Sequence, residues 1–309
     1  LRMAAVTGLG ADEEHLQTLH NMWETHRFLP ALYEIGLFYD KRGESVTAME
    51  YFKIGAEEGN ADCQHEFGMS LLSSGEGVPL DAEGARGVVL LEHAAKQGHL
   101  EAEYQLAKLT YTGYGETPGD EAKAYRMFLS ISESGSRFAI MAKYEVAMAC
   151  FHGIGTQLDP ERAVPLFDEF CHRYMERYPD SDEVLEAAYC LGWAYSTGRG
   201  VQQSWEQAVK YWEKGATRDL EMCHALAKAY SRGTGVAQNH AKAHEMWQLA
   251  ARSEHSPSCV ELGYAALEGR GTPKDETMAI DWWRKALEMY DRRPVPPPSH
   301  RCHRRFLYV

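Results

Sequence analysis

Apolar positions along the chain fall into paired stretches with helical spacing. In the first stretch of a pair a leucine is followed by a small residue and, three further on, a tyrosine. Leu191, Gly192 and Tyr195 recur as Leu226, Ala227 and Tyr230, and in looser form as Leu106 with Ala107 or Leu262 with Gly263. The second stretch carries an alanine and then large side chains: Tyr211-Trp212 after Ala208, Trp247 after Ala243, Trp282-Trp283 after Ala279. Small residues let two helices approach, and large ones on the same face fill the adjoining groove. Each pair of stretches therefore predicts two helices, A and B, folded back on each other.

The joint between them is a Gly-x-Gly loop that occurs six times: Gly75-Glu76-Gly77, Gly113-Tyr114-Gly115, Gly153-Ile154-Gly155, Gly198-Arg199-Gly200, Gly233-Thr234-Gly235 and Gly269-Arg270-Gly271. Successive first glycines lie 38, 40, 45, 35 and 36 residues apart. A period in this range means a stack of supersecondary units. Glycine supplies the positive φ that ends helix A. An N-cap residue follows each loop, with a small alanine four positions later: Asp81 and Ala85, Asp120 and Ala124, Asp159 and Ala163, Ser204 and Ala208, Asn239 and Ala243, Asp275 and Ala279. Asp, Ser and Asn accept hydrogen bonds from the unpaired amides of a helix start, worth about 1 kcal/mol each. Pro160 fits the first helical position, where its missing N–H costs nothing.

The stretch Ala188 to Trp212, with Leu191-Gly192, Tyr195, Gly198-Arg199-Gly200-Val201, Ala208 and Tyr211-Trp212, resembles the Sel-1-like repeat (SLR) family, a relative of the tetratricopeptide repeat. The resemblance covers residues 61–290 and implies six such repeats. Residues 30–60 keep the helix pattern through Ile35, Gly36, Tyr39, Ala48 and Phe52, but turn on a short Lys41-Arg42-Gly43. That unit resembles a plain tetratricopeptide repeat, and the layout is similar to that of eukaryotic SLR adaptors. Residues 1–29 are expected to be an N-terminal segment with a capping helix over Ala11 to Arg27, and residues 291–309 a Pro- and Arg-rich tail. The fold class implied is all-α: an α-solenoid, or superhelix, of helix–turn–helix repeats. Leu1 to Gly10 lacks the build of a secretory signal, and a start at Leu1 instead of Met leads us to expect a missing N-terminus.

Charge narrows the partners. The net charge is −13, yet Arg292, Arg293, Arg301, Arg304 and Arg305 lie in a tail without acids, so removing those five leaves −18 on residues 1–291. An acidic body excludes nucleic acid, which needs a basic footprint, and favours basic or extended protein segments. No run of apolar residues reaches membrane-spanning length, so no membrane insertion is expected. Secreted members of the SLR family staple helix A to helix B with disulfides. Of the seven cysteines only Cys150 and Cys171 fall in one repeat in that way. The remainder read as buried small apolar residues in a reducing, cytoplasmic compartment, with a cytoskeletal or ciliary setting as the alternative.

Two segments break the period. The 45-residue interval marks an insertion at about 172–184, where helix B of the fourth repeat, the third SLR, runs long and turns at Pro179. The tail carries Pro294-Val295-Pro296-Pro297-Pro298, which favours polyproline II, and then Arg304-Arg305-Phe306-Leu307-Tyr308-Val309. Arg304, Arg305, Phe306 and Tyr308 are expected to make contacts, either with a partner or with the acidic body.

If helix A packs as in tetratricopeptide repeats, positions two before and two after the recurring leucine face the concave side. The first row is Tyr33, His65, Tyr104, Tyr144, Tyr189, His224 and Val260. The second is Leu37, Met69, Lys108, Met148, Trp193, Lys228 and Tyr264. Aromatic, histidine and methionine side chains offer the contact area a peptide groove needs, although tyrosine in the first row also suits packing between repeats. Catalytic patterns are missing. The Gly-x-Gly loops lack the third glycine and preceding strand of a dinucleotide site. His240 and His244 are one helical turn apart but have no third ligand, and His300, Cys302 and His303 sit in the tail. No cofactor, metal or catalytic residue is implied. The expected function is a non-catalytic protein-interaction adaptor working within a larger complex. The alternatives are a structural subunit of a stable assembly and, more distantly, a hydrolase.

Overall fold

The computed structural model describes residues 11–73, 82–114, 117–136 and 138–291. Fifteen helices and no strand occur among them. A helix α1 (Ala11–His26) precedes seven A/B pairs: α2 (Pro30–Lys41) with α3 (Ser45–Glu57), α4 (Ala61–Ser73) with α5 (Ala82–Lys96), α6 (Leu100–Thr112) with α7 (Glu121–Glu133), α8 (Ala139–His152) with α9 (Pro160–Tyr174), α10 (Asp182–Thr197) with α11 (Trp205–Gly215), α12 (Leu220–Arg232) with α13 (His240–Arg252), and α14 (Ser256–Glu268) with α15 (Glu276–Asp291). This is the α-solenoid class. The chain divides into two compact units, residues 1–139 and 140–309.

The helix starts follow the sequence. Side-chain oxygens of Asp120, Asp159, Ser204, Asn239 and Asp275 accept from the backbone N–H of Lys123, Arg162, Gln207, Lys242 and Met278 at 2.8–3.3 Å. Asp81 and the Gly75-Glu76-Gly77 loop lie outside the described residues.

The two glycines of a loop do different work. Gly198, Gly233 and Gly269 are the left-handed C-caps of α10, α12 and α14, with φ of 74°, 70° and 74°. Gly200, Gly235 and Gly271 also have positive φ, but each lies against the first residue of helix B of the preceding repeat. A methyl group there would collide with the carbonyl of Pro160, Trp205 or His240 respectively. The second glycine is therefore a contact between repeats as well as part of a turn.

In six of the seven pairs an alanine of helix B faces helix A, and Ala48, Ala124, Ala163, Ala208, Ala243 and Ala279 are completely enclosed. Four residues on, an aromatic ring lies over a helix-A glycine where a Cβ would clash: Phe52 on Gly36, Trp212 on Gly192, Trp283 on Gly263. Burying a ring of this size contributes about 2–3 kcal/mol. The α4–α5 pair departs from the expectation. Ala85 is exposed, and the close approach is instead between Gly68 and Gly87. Two glycines remove both Cβ atoms, so the backbones themselves meet.

In the first unit, Leu16, Leu19, Met22 and Trp23 of α1 close over Ala31 and Ile35, while Asp12, Glu13, His15, Gln17, Thr18, Asn21 and Glu24 face solvent. Leu32, Phe52, Cys63 and Leu90 continue the core from α2 into α5. In the second unit, Tyr144, Phe151, Phe167, Phe170, Leu191, Met222 and Leu262 are all fully enclosed. Helix B packs on helix A of the following repeat, from α9 against α10 to α13 against α14. After Tyr174 the chain turns through residues 175–181, where Phe170, Tyr174 and Tyr178 stack in sequence at 5.2 and 5.6 Å. Six cysteines are buried. Cys171 is a free thiol, so the staple that the SLR resemblance suggested for it is not formed.

Candidate protein-binding face

The first row of helix-A positions divides by depth. Tyr144 has no exposed surface. Its ring packs on Phe167 and Phe170, and its hydroxyl donates to Glu186 Oε2 in the next repeat at 2.7 Å. Tyr104 is buried edge-on to Phe128, and His65 is buried and stacked on His99 at 4.8 Å. These three fill the space between helices and between repeats and leave no ring face for a partner. Tyr33, Tyr189 and His224 are half-buried, and Val260 is exposed. Burial, with Glu221 nearby, raises the Tyr189 hydroxyl above the ordinary tyrosine range.

The second row is more open. Met148 is buried, and Leu37 and Met69 pack partly into the cores of the first unit. Lys108 is exposed, its ammonium 6.0 Å from the Tyr104 ring centre. Trp193 is half-buried, edge-on to Phe151 at 5.7 Å. The Arg199 guanidinium lies 4.8 Å from the Trp193 ring and 5.1 Å from Phe151, and it donates to the Phe151 carbonyl at 3.1 Å. Two rings and a hydrogen bond thus fix this cation, and it in turn holds the indole. Lys228 Nζ is 4.0 Å from Glu261, and Tyr264 is 46% exposed with its edge on Trp283. Of the two rows, His65, Tyr104, Tyr144 and Met148 are thus interior, while Val260, Lys108 and Tyr264 are exposed and Trp193 is half-buried.

Sequence reasoning missed a motif that recurs in both units. His99 and His255 precede α6 and α14, each against a histidine of the preceding repeat. His99 Nδ1 accepts from the Ala102 N–H at 3.1 Å, and Nε2 lies 3.4 Å from Asp62. His255 bonds Ser258 Oγ through Nδ1 at 2.8 Å and Glu221 through Nε2 at 3.2 Å. His224 Nδ1 shares the same Ser258 hydroxyl at 3.1 Å. Enclosure first, then the neighbouring His255 and Lys228, hold the His224 imidazole down to about 3, and enclosure and His65 lower His99. The visible signal was a histidine immediately in front of a helix A, 34 and 31 residues after a histidine in helix A of the preceding repeat.

Among the described residues no group of three or more His, Cys, Asp or Glu side chains could hold a metal ion. His244 is buried and shares a hydrogen bond with Gln248 at 3.0 Å. No described helix is long and apolar enough to cross a membrane. Arg304, Arg305, Phe306 and Tyr308 lie outside the described residues.

A profile of the Sel1 repeat matches residues 30–60, 100–136, 140–169, 185–220, 220–255 and 256–291. No curated protein matches the chain. Among solved structures, a protective antigen of uropathogenic Escherichia coli displaying an SLR fold superposes with a TM-score of 0.67 and 25% identity, over 88% of this chain and 56% of that one. The chain thus spans little more than half the length of that relative. A Sel1 repeat protein from Oxalobacter formigenes gives 0.54 at 22% identity, over 89% and 77%. A signal-transduction ATPase with a tetratricopeptide repeat sensor, from Pyrococcus horikoshii, gives 0.51 at 14%, over 89% and 44%.

Proposed function

Because the chain belongs to the Sel1 repeat family, a solenoid fold that mediates protein–protein interaction, we propose that it is a non-catalytic adaptor that binds other proteins along its helix-A rows. One observation carries this reading. In the second unit Trp193, braced by Phe151 and Arg199, occupies the same repeat position as Lys228 and the exposed Tyr264. Large rigid aromatics near a cation are the usual anchors of an interface. The acidic body favours partners that offer basic or extended segments. Free thiols at Cys63, Cys171, Cys223 and Cys259 support a reducing compartment, and in this reading the protein works inside a larger complex. In the first unit Lys108 and Met69 take the equivalent positions.

Crosslinking mass spectrometry on the native protein tests the reading. Crosslinks from Lys108 and Lys228 should reach a basic segment of one partner. Trp193→Ala or Tyr264→Ala should weaken that partner about tenfold or more, which is about 1.4 kcal/mol. Raising salt to about 0.5 M should weaken it further. Crosslinks confined to Lys41, Lys214 and Lys274, reaching several partners and indifferent to both substitutions, would make the chain a structural subunit of a stable assembly instead.

A further inference from the structure

Two repeat junctions, one in each unit, carry the same arrangement of side chains. The second residue of α4 is Asp62, and His65 comes three residues later; the second residue of α12 is Glu221, and His224 comes three residues later. His99 and His255 stand directly before the next helix A, and each ring lies against the earlier histidine, at 4.8 and 5.2 Å. His65 and His255 are buried, and the His99 side chain is 17% exposed.

The bonds around each later histidine fix where its proton sits. A neutral imidazole has one N–H and one acceptor nitrogen. His99 Nδ1 accepts from the Ala102 amide at 3.1 Å and so caps α6, which leaves its proton on Nε2, 3.4 Å from Asp62. At His255, Nε2 faces the Glu221 carboxylate at 3.2 Å and carries the proton, so Nδ1 accepts from the Ser258 hydroxyl at 2.8 Å. That hydroxyl has a single proton, and His224 Nδ1 therefore donates to Ser258 Oγ at 3.1 Å. Both later histidines thus hold one tautomer, with Nε2–H towards an acid of the preceding helix A and Nδ1 accepting from their own.

We infer that His99 and His255 are acid-sensitive latches, in which a second proton on Nδ1 removes the acceptor and releases the start of one helix A from the helix A before it. At His99 the new N–H would face the Ala102 N–H. At His255 it would force the hydroxyl proton of Ser258, a residue with no exposed surface, to turn away.

Charge sets the direction. Facing His99 are Asp62, His65 and Glu66 of α4 and Glu101 of α6. Around the His224–His255 pair stand Glu221, Lys228 and Arg232 of α12, with Glu261 of α14 at 4.0 Å from Lys228. The carboxylates favour an added proton, whereas enclosure and the paired ring oppose it. At His99 enclosure and His65 prevail and hold the imidazole below its ordinary 6.5, and at His224 enclosure, His255 and Lys228 do the same. An opened junction therefore takes up the proton first. Closure is intact above about pH 6.5 and is lost as pH falls below it, each pH unit favouring opening by up to about tenfold per histidine.

Asparagine separates capping from titration, because its side-chain oxygen accepts at a helix start and never ionises. The full chain, His99→Asn and His255→Asn are compared by hydrogen-exchange mass spectrometry at pH 7.5 and 5.0, with rates referred to the intrinsic rate at each pH. Far-UV circular dichroism checks that each protein stays folded. At pH 5.0 the parent should lose about tenfold in protection at the starts of α6 and α14. Each substitution should abolish the loss at its own junction and leave the other unchanged. The parent alone can overturn the proposal, by keeping its protection at both helix starts at pH 5.0. Equal losses in the parent and the asparagine variants overturn it as well, because they assign the acid sensitivity to the carboxylates or to another group.

Discussion

Alanine at the two glycines of one loop should have unequal effects. Gly198 and Gly200 both sit at positive φ, 74° and 73°, so an L side chain at either pays for the left-handed conformation, about 1–2 kcal/mol. The stiffer unfolded chain returns about 0.4–1 kcal/mol. At Gly198 the nearest atom to a new methyl is the Gln203 Cβ at 3.3 Å, part of an adaptable loop. The net cost of Gly198→Ala is therefore about 1 kcal/mol. At Gly200 the methyl would fall on the carbonyl of Pro160, which begins α9 in the preceding repeat. That backbone is fixed by the Asp159 cap, whose side chain accepts from the Arg162 N–H at 3.1 Å, so relief requires the repeats to separate. Overpacking of this kind adds about 1–3 kcal/mol, which gives Gly200→Ala a total of about 2–4 kcal/mol. Urea unfolding followed at 222 nm measures both variants, and hydrogen exchange locates the loss. Gly200→Ala should speed exchange in α9 as well as in its own loop, whereas Gly198→Ala should act only on the end of α10. Equal midpoints within about 0.5 kcal/mol, with no change in α9, would refute the assignment of the second glycine to the contact between repeats.

The half-buried His224 gives a pH dependence whose sign follows from the direction of its shift. His224 titrates at about 3 when folded, below its ordinary 6.5, so the unfolded chain takes up the proton first. Its contribution is intact above pH 6.5 and is lost as pH falls from 6.5 towards 3, amounting to about 2 kcal/mol at pH 5. Urea unfolding at pH 7.5 and 5.0 should show a smaller loss in His224→Gln than in the parent, and an identical loss would remove His224 as the cause. Tyr144→Phe deletes the hydroxyl that donates to Glu186 at 2.7 Å and should cost about 1–3 kcal/mol, since the acceptor is a carboxylate. A double-mutant cycle with Glu186→Gln isolates that bond, and a coupling energy near zero would rule it out.

What could be read from the sequence was local. Asp120, Asp159, Ser204, Asn239 and Asp275 cap helices because a short side chain bonds an amide three residues away, and that rule needs no tertiary information. The first glycine was equally legible at Gly198, Gly233 and Gly269, because a left-handed helix end is a property of the backbone, whereas Gly113 has positive φ but an extended ψ of 162°. Contacts across a repeat boundary were not legible. Sequence spacing placed Tyr104, Tyr144 and Trp193 on one helix face, but whether a ring there is covered depends on the length of side chains one repeat away. Glu186 reaches Tyr144, and nothing within its own repeat announces that. Ala85 illustrates the same limit. Its spacing from Asp81 fits the pattern, yet the Gly68 and Gly87 pair brings two backbones together and rotates the alanine out to solvent. The paired histidines escaped notice because each member looks ordinary alone, and only their meeting, His65 with His99 and His224 with His255, makes them a motif.

The buried cysteines make the chain its own recorder of opening. Cys63, Cys150, Cys171, Cys190, Cys223 and Cys259 are spread over α4, α8, α9, α10, α12 and α14. Burial pushes Cys63 and Cys171 up to about 12, so at neutral pH neither offers the thiolate that alkylating reagents attack. When a repeat opens, its sulfur returns to the ordinary range and is labelled permanently. Repeat arrays can fray from an end or part in the middle, because each unit is held only by its neighbours. The order in which these six positions gain mass under native conditions would therefore date the opening of individual repeats, with no probe added to the chain.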